Sequence, residues 1–154
     1  SRAESERELA QIREELTEQG YLRKQKGKQR PQAALPPLEF TSSDGFKILV
    51  GRNNTQNDKL TLKIANKNDM WLHTKDIHGS HTVVFAEGRE ISDTAILEAA
   101  QLAAYYSKAR ESSQVPVDYT LVRYVSKPSG ARPGMVIYVN NKTVYVTPKA
   151  NISK

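Results

Sequence analysis

The chain has 154 residues and a formal charge of +6, which is enough for one domain with a real core plus an appendage and favours anionic partners such as nucleic acid or anionic lipid. It has no cysteine, so nothing points to a disulfide framework or an oxidising compartment. No apolar run approaches the roughly 20 residues of a membrane-spanning helix, and Ser1 does not open a charged-then-apolar secretion signal.

Residues 1–19 carry six acids and three arginines, with Leu9, Ile12 and Leu16 at spacings of three and four. That pattern is a thin apolar seam on a charged helix, the end of a coiled coil or helical hairpin stopped by Gly20. A frayed helical tail is the other reading. Because the chain starts inside this pattern, it is expected to be part of something longer. Residues 20–37 change character. Arg23, Lys24, Lys26, Lys28 and Arg30 add five positive charges with no acid, and Pro31, Pro36 and Pro37 block regular structure. This predicts a basic linker, either a phosphate contact or a solvated tether.

A globular domain is expected over 38–154. Residues 38–41 and 46–50 read as strands about the turn Ser43-Asp44-Gly45. Asn54 or Thr55 is the predicted cap of a helix over 56–65, with Leu60, Ile64 and Leu62 facing inward. Residues 70–74 and 82–86 read as strands joined by the loop 75–81. Ser92 is the predicted N-cap of a long helix over 93–109. Its alanines at 95, 99, 100, 103 and 104 permit close approach to a sheet. Residues 117–125 read as a long strand and 127–134 as a loop. Residues 135–139 and 143–147 read as a last hairpin about Asn140-Asn141-Lys142. The predicted fold class is α+β: a mostly antiparallel sheet with one long helix packed across it.

The chemistry concentrates between Gly51 and His81. These 31 residues hold an Arg, five Asn, one Gln, four Lys, the only Trp and all three His. Buried amides need hydrogen-bond partners, so so dense a cluster suits a polar surface that reads a polar molecule. A metal site at His73, Asp76, His78 and His81 is disfavoured, because no zinc-type spacing is present. A triad of Ser80, His81 and Asp76 is disfavoured too, because loop neighbours seldom point at one another. No glycine-rich phosphate motif occurs, although Gly51-Arg52-Asn53-Asn54 can bring backbone N–H groups to a phosphate. Nucleic-acid binding has the fullest set of parts. Arg52, Lys59, Lys63, Lys67 and Lys75 suit phosphates. Asn53, Asn54, Gln56 and Asn57 suit bases, sugars or the 2′-hydroxyl, or a self-satisfied capped turn. Trp71 suits base stacking or, the favoured alternative, a strand core. Lys127 and Arg132 sit on a Pro/Gly scaffold that either holds a fixed shape against a backbone or only connects strands.

The run VGRNNTQNDKLTLKIANKNDMWLHTKDIHGSH, followed by KPSGARPGMVIYVNNKTVYVTP, resembles the NFACT-R domain, the RNA-binding domain of the NFACT proteins. The likeness covers about 38–150. It joins a polar signature, a Trp-x-His strand, a Gly-Ser-His loop and a Lys-Pro…Pro-Gly hairpin in the family's order. The family pattern carries Pro where His78 stands here. The resemblance implies a binder of tRNA and the large ribosomal subunit, in a factor that supports template-free C-terminal tailing of stalled chains. The ribosome would make the peptide bond, so no catalytic residue, cofactor or metal is implied. Cytoplasmic location, and upstream domains of the same full-length protein as partners, are implied as well. The alternative is a fibronectin-binding adhesin displayed at the cell surface without a signal peptide. The implied RNA-binding positions are Arg52, Asn53, Asn54, Asn57, Lys63, Trp71, His73, Lys75, Ser80, His81, Lys127 and Arg132. Asp58 and Asp76 are implied to orient them.

Overall fold

The computed structural model describes residues 35–150. The helix end at 1–19 and the linker up to residue 34 lie outside the described residues. The domain is α+β, as its patterning predicts. Strands β1 (Leu38–Thr41) and β2 (Lys47–Val50) form a hairpin in the register Leu38↔Val50. Its turn is closed by Ser42, whose hydroxyl oxygen accepts from Phe46 N at 2.8 Å, and by Gly45 at φ +94. With β3 (Met70–Thr74), β4 (Thr82–Val84), β5 (Val115–Leu121) and β8 (Lys142–Val146), they make a six-stranded sheet. Its order is β1-β2-β4-β3-β5-β8 and every pairing is antiparallel.

Alternation along the strands divides the core into two faces. On one face Phe40, Ile48, Val50, Leu72, Val84, Val115, Val117 and Val146 cluster with Ala95, Ala99, Ala100, Leu102, Ala103 and Ala104. Those six belong to helix α2 (Asp93–Tyr105), which Ser92 caps through a bond from Ala95 N. Small side chains let its backbone approach the strands, so the long helix covers this face. On the other face Leu49, Trp71, Val83 and Phe85 pack with Leu60, Val122 and Val125, and with the partly buried Val136 and Tyr138. The cover here is helix α1 (Asn54–Lys59) with its continuation Leu60–Ile64, and a small second sheet of β6 (Val125–Ser126) and β7 (Ile137–Tyr138). The candidate site is built on this second face.

Several local expectations change. The cap of α1 is Asn53, not Asn54 or Thr55: Asn53 is extended at φ -155 and its side chain accepts from Gln56 N. Past Lys59 the helix widens into a π-turn, in which Ala65 N reaches back to Leu60 O. The wider turn rotates the following residues, so Leu60 and Thr61 are buried while Leu62 and Ile64 are exposed. Helix α2 ends at Tyr105, because the next residues pair with the 78–80 loop. The long strand predicted over 117–125 is β5, a 3₁₀ turn at Val122–Tyr124, and β6. The last two strands share no hairpin ladder. β7 pairs with β6, and β8 pairs with β5. Buried Asp118 organises that split, accepting from Tyr138 Oη and Thr143 Oγ1, each at 2.6 Å. Asn140 turns the chain between the two sheets at φ 59. Among the described residues no helix is long and apolar enough to cross a membrane.

Candidate nucleic-acid interface

The polar signature first satisfies itself. Asn53 Oδ1 accepts from Gln56 N at 2.9 Å, and Gln56 Oε1 accepts from Arg52 N at 2.6 Å. This reciprocal pair is a variant of the capping box and fixes the turn that carries Arg52. Asn57 is buried, and its Oδ1 accepts from His81 N at 3.1 Å while Gly51 N donates to His81 O at 3.0 Å. A Cβ at Gly51 would lie 1.9 Å from Asn57 Oδ1, so the close approach requires glycine. The turn and the Gly-Ser-His loop, distant in sequence, thus share one backbone junction.

His81 extends that junction to the loop at 127–134. Its Nε2 is 3.1 Å from Gly134 O and its Nδ1 is 2.7 Å from Thr61 Oγ1. A carbonyl only accepts, so Nε2 carries the proton and Nδ1 accepts from the Thr61 hydroxyl. Burial, and then the neighbouring His73, push the His81 pKa down to about 3, which keeps the ring neutral. Gly134 is held from its other side, where its N–H donates to Asp58 Oδ1 at 3.0 Å. The second Asp58 oxygen lies 3.2 Å from Lys127 Nζ, which also donates to Arg132 O at 2.6 Å and Met135 O at 3.2 Å. The loop is therefore built against α1, not merely a connection between strands. Gly134 sits at φ +87, and a Cβ there would meet Asn54 Oδ1 at 2.8 Å.

Trp71 is 1% exposed. It stacks on the His73 ring at 5.8 Å between centroids, packs against Tyr138 at 4.6 Å, and meets His81 edge-on at 5.4 Å. It offers no face to a base, so the strand-core reading applies to it. His73 Nδ1 lies 2.7 Å from Thr74 O and its Nε2 3.2 Å from Gly79 O. Burial lowers its pKa. A neutral ring donates to only one carbonyl, and the shorter contact makes Nδ1 that donor. Burial, followed by the Asp118 contact, raises the Tyr138 hydroxyl above its usual range. Among the described residues no group of three or more His, Cys, Asp or Glu is arranged to hold a metal ion.

The predicted site residues thus separate into two groups. Asn57, Trp71, His73 and His81 are turned inward, and Lys127 is tied to Asp58; they shape the surface. The Asp58 carboxylate pairs with Lys127 through Oδ2 at 3.2 Å. Asp76 lies exposed at φ 54, and its carboxylate makes no hydrogen bond or ion pair among the described residues. Lys63, Lys75 and Arg132 are exposed, and Arg52, Asn53, Asn54 and Ser80 are half-buried. Thr61, Asp118 and Tyr138 were not foreseeable as framework residues, because their partners are distant in sequence. Gln56 carried a legible signal, its place three residues after Asn53.

Residues 37–140 match the family described as the NFACT protein RNA binding domain. The chain is 51% identical over 150 residues to the Rqc2 homolog RqcH of Bacillus subtilis, covering 96% of this chain and 26% of that protein. It is 46% identical over 142 residues to the Rqc2 homolog RqcH of Streptococcus suis, covering 92% of this chain and 25% of that protein. It spans about a quarter of the length of these relatives. Among solved structures it is similar to the C-terminal part of the fibronectin/fibrinogen-binding protein from Streptococcus suis. The TM-score is 0.82 at 43% identity, over 96% of this chain and 60% of that one. With that match over most of its globular part, the chain belongs to the NFACT protein RNA binding domain family.

Proposed function

We propose that this domain is the RNA-binding module of a cytoplasmic ribosome quality-control factor. Its partners are tRNA and the large ribosomal subunit, and it supports template-free tailing of stalled chains together with other domains of the full-length protein. The observation that carries this reading is the locked ridge: the Arg52 turn, the 79–81 loop and the 127–134 loop are fastened to one another through His81 and Asp58. A surface held this way presents Arg52, Lys63, Lys75 and Arg132 at little ordering cost on binding. The cations meet phosphates, while Asn53, Asn54 and Ser80 meet sugar or base edges. The module binds and does not catalyse, in keeping with the family's description as an RNA binding domain. A tRNA titration at several salt concentrations tests it. Removing Arg52 together with Asn53 is expected to weaken binding and flatten the salt dependence; unchanged affinity would move the site elsewhere.

A second reading is favoured by the Streptococcus suis relative, whose own name describes fibronectin and fibrinogen binding. The exposed edge of β8 offers a physical route through strand addition. Saturable fibronectin binding at physiological salt supports it, and its absence removes it.

A further inference from the structure

We propose that the segment following α2 is a second RNA contact, in which Arg110, held against the Tyr105 ring, and Lys108 take backbone phosphates on the far side of the Gly79-Ser80 loop from Arg52. This rests on the RNA-binding reading and extends it to residues outside the polar signature. The geometry begins with the loop itself. On one flank His81 bonds to Asn57 and Gly51. On the other, Ser80 N donates to Tyr106 O at 3.1 Å, Lys108 N donates to His78 O at 2.9 Å, and Gly79 bridges Ser107. A Cβ at Gly79 would stand 2.9 Å from both Ser107 Cβ and Thr74 Oγ1, so the loop lies directly on the 106–108 backbone. Residues 79–81 are therefore a narrow strip with the Arg52 turn on one side and residues 105–110 on the other.

The side chains on the second side suit an anion. The Arg110 guanidinium carbon sits 4.0 Å from the centre of the Tyr105 ring, and Tyr105 is itself braced edge-on by Tyr106 at 5.0 Å. Among the described residues Arg110 has no carboxylate partner and no side-chain hydrogen bond. A guanidinium stacked on a ring keeps its N–H edge directed outward in the fork that matches two phosphate oxygens. Stacking also removes rotamer freedom before the ligand arrives. Lys108 is exposed and likewise without an ion-pair partner among the described residues. Across 75–81 and 105–111 the acids are Asp76 and Glu111, against Lys75, Lys108 and Arg110. A surface Arg serving stability alone would gain only the stacking on Tyr105 and would not affect RNA.

The test is a tRNA titration of the intact chain across a salt series, with thermal melting of each variant. Arg110→Ala and Lys108→Ala are each expected to weaken binding and lower the salt slope by about one unit. Arg110→Lys is expected to keep the slope and lose affinity, because it keeps the charge without the fork. Lys108→Ala removes an exposed side chain, so it reads the contact even if Arg110→Ala melts early. Wild-type affinity and slope for Lys108→Ala and a folded Arg110→Ala, beside weakened binding by Arg52→Ala, would overturn this inference and leave the RNA reading standing. Absence of salt-dependent tRNA binding by the unmodified chain would overturn both.

Discussion

Lowering the pH from 7 to 5 is expected to remove about 2 kcal/mol of folding stability through His81 alone. The unfolded ring titrates near 6.5 and the folded ring at about 3. Between those values the unfolded chain binds a proton that the native state refuses, so stability falls as the pH falls. At pH 5 the unfolded ring is almost wholly charged and the native ring still neutral, which sets the magnitude. The refusal has structural causes: His81 is 1% exposed, and His73 and Lys127 both oppose a new positive charge, which together outweigh the Gly134 O contact that favours the protonated ring. Urea unfolding at pH 7, 6 and 5 measures the effect, with His81→Gln as the comparison. The amide can still donate to Gly134 O but cannot titrate. The variant should start less stable and lose less between pH 7 and 5; the remainder belongs to His73, whose pKa is depressed in the same direction. An equal loss in both proteins would refute the buried neutral His81.

Other perturbations test neighbouring parts of the same framework. Thr61→Val should cost about 1–3 kcal/mol, because it leaves His81 Nδ1 buried without a donor, and Thr61→Ser should restore most of it in the same urea assay. Gly51→Ala should destabilise severely, on the order of 3 kcal/mol or more, since its Cβ would lie 1.9 Å from Asn57 Oδ1; thermal melting reads this. Asp58→Asn should cost no more than about 1 kcal/mol, as befits a partly exposed ion pair, yet should speed amide exchange at Gly134 by loosening the clasp. Trp71 fluorescence should stay blue-shifted and largely unquenched on adding tRNA, because the ring is buried. Strong quenching, as by a stacked base, would contradict its placement.

How much of this was legible in the residues depends on the range of the interaction. Residues 70–74 fold as the strand expected, and Ser92 caps the alanine-rich helix as expected, because both signals are local. Leu62 and Ile64 were expected inside because the residues were counted on an ordinary helix; the π-turn after Lys59 has no composition cue. The hairpin after residue 134 was misjudged because Asp118, distant in sequence, decides where Tyr138 and Thr143 go. The signature was legible as a polar surface, but not which of its members face inward. Asn57 and His81 are buried because each answers a backbone group of another segment, and spacing alone carries no trace of that.

The central claim is that the ridge around residues 52–58, 79–81 and 127–134 is an RNA surface. The most direct test is the affinity of the intact chain for tRNA between low and physiological salt, for the wild type and for Arg52→Ala with Arg132→Ala. The account predicts tight, steeply salt-dependent binding, with the slope reduced by about two units in the double variant. Binding of equal strength and slope in both proteins would contradict it.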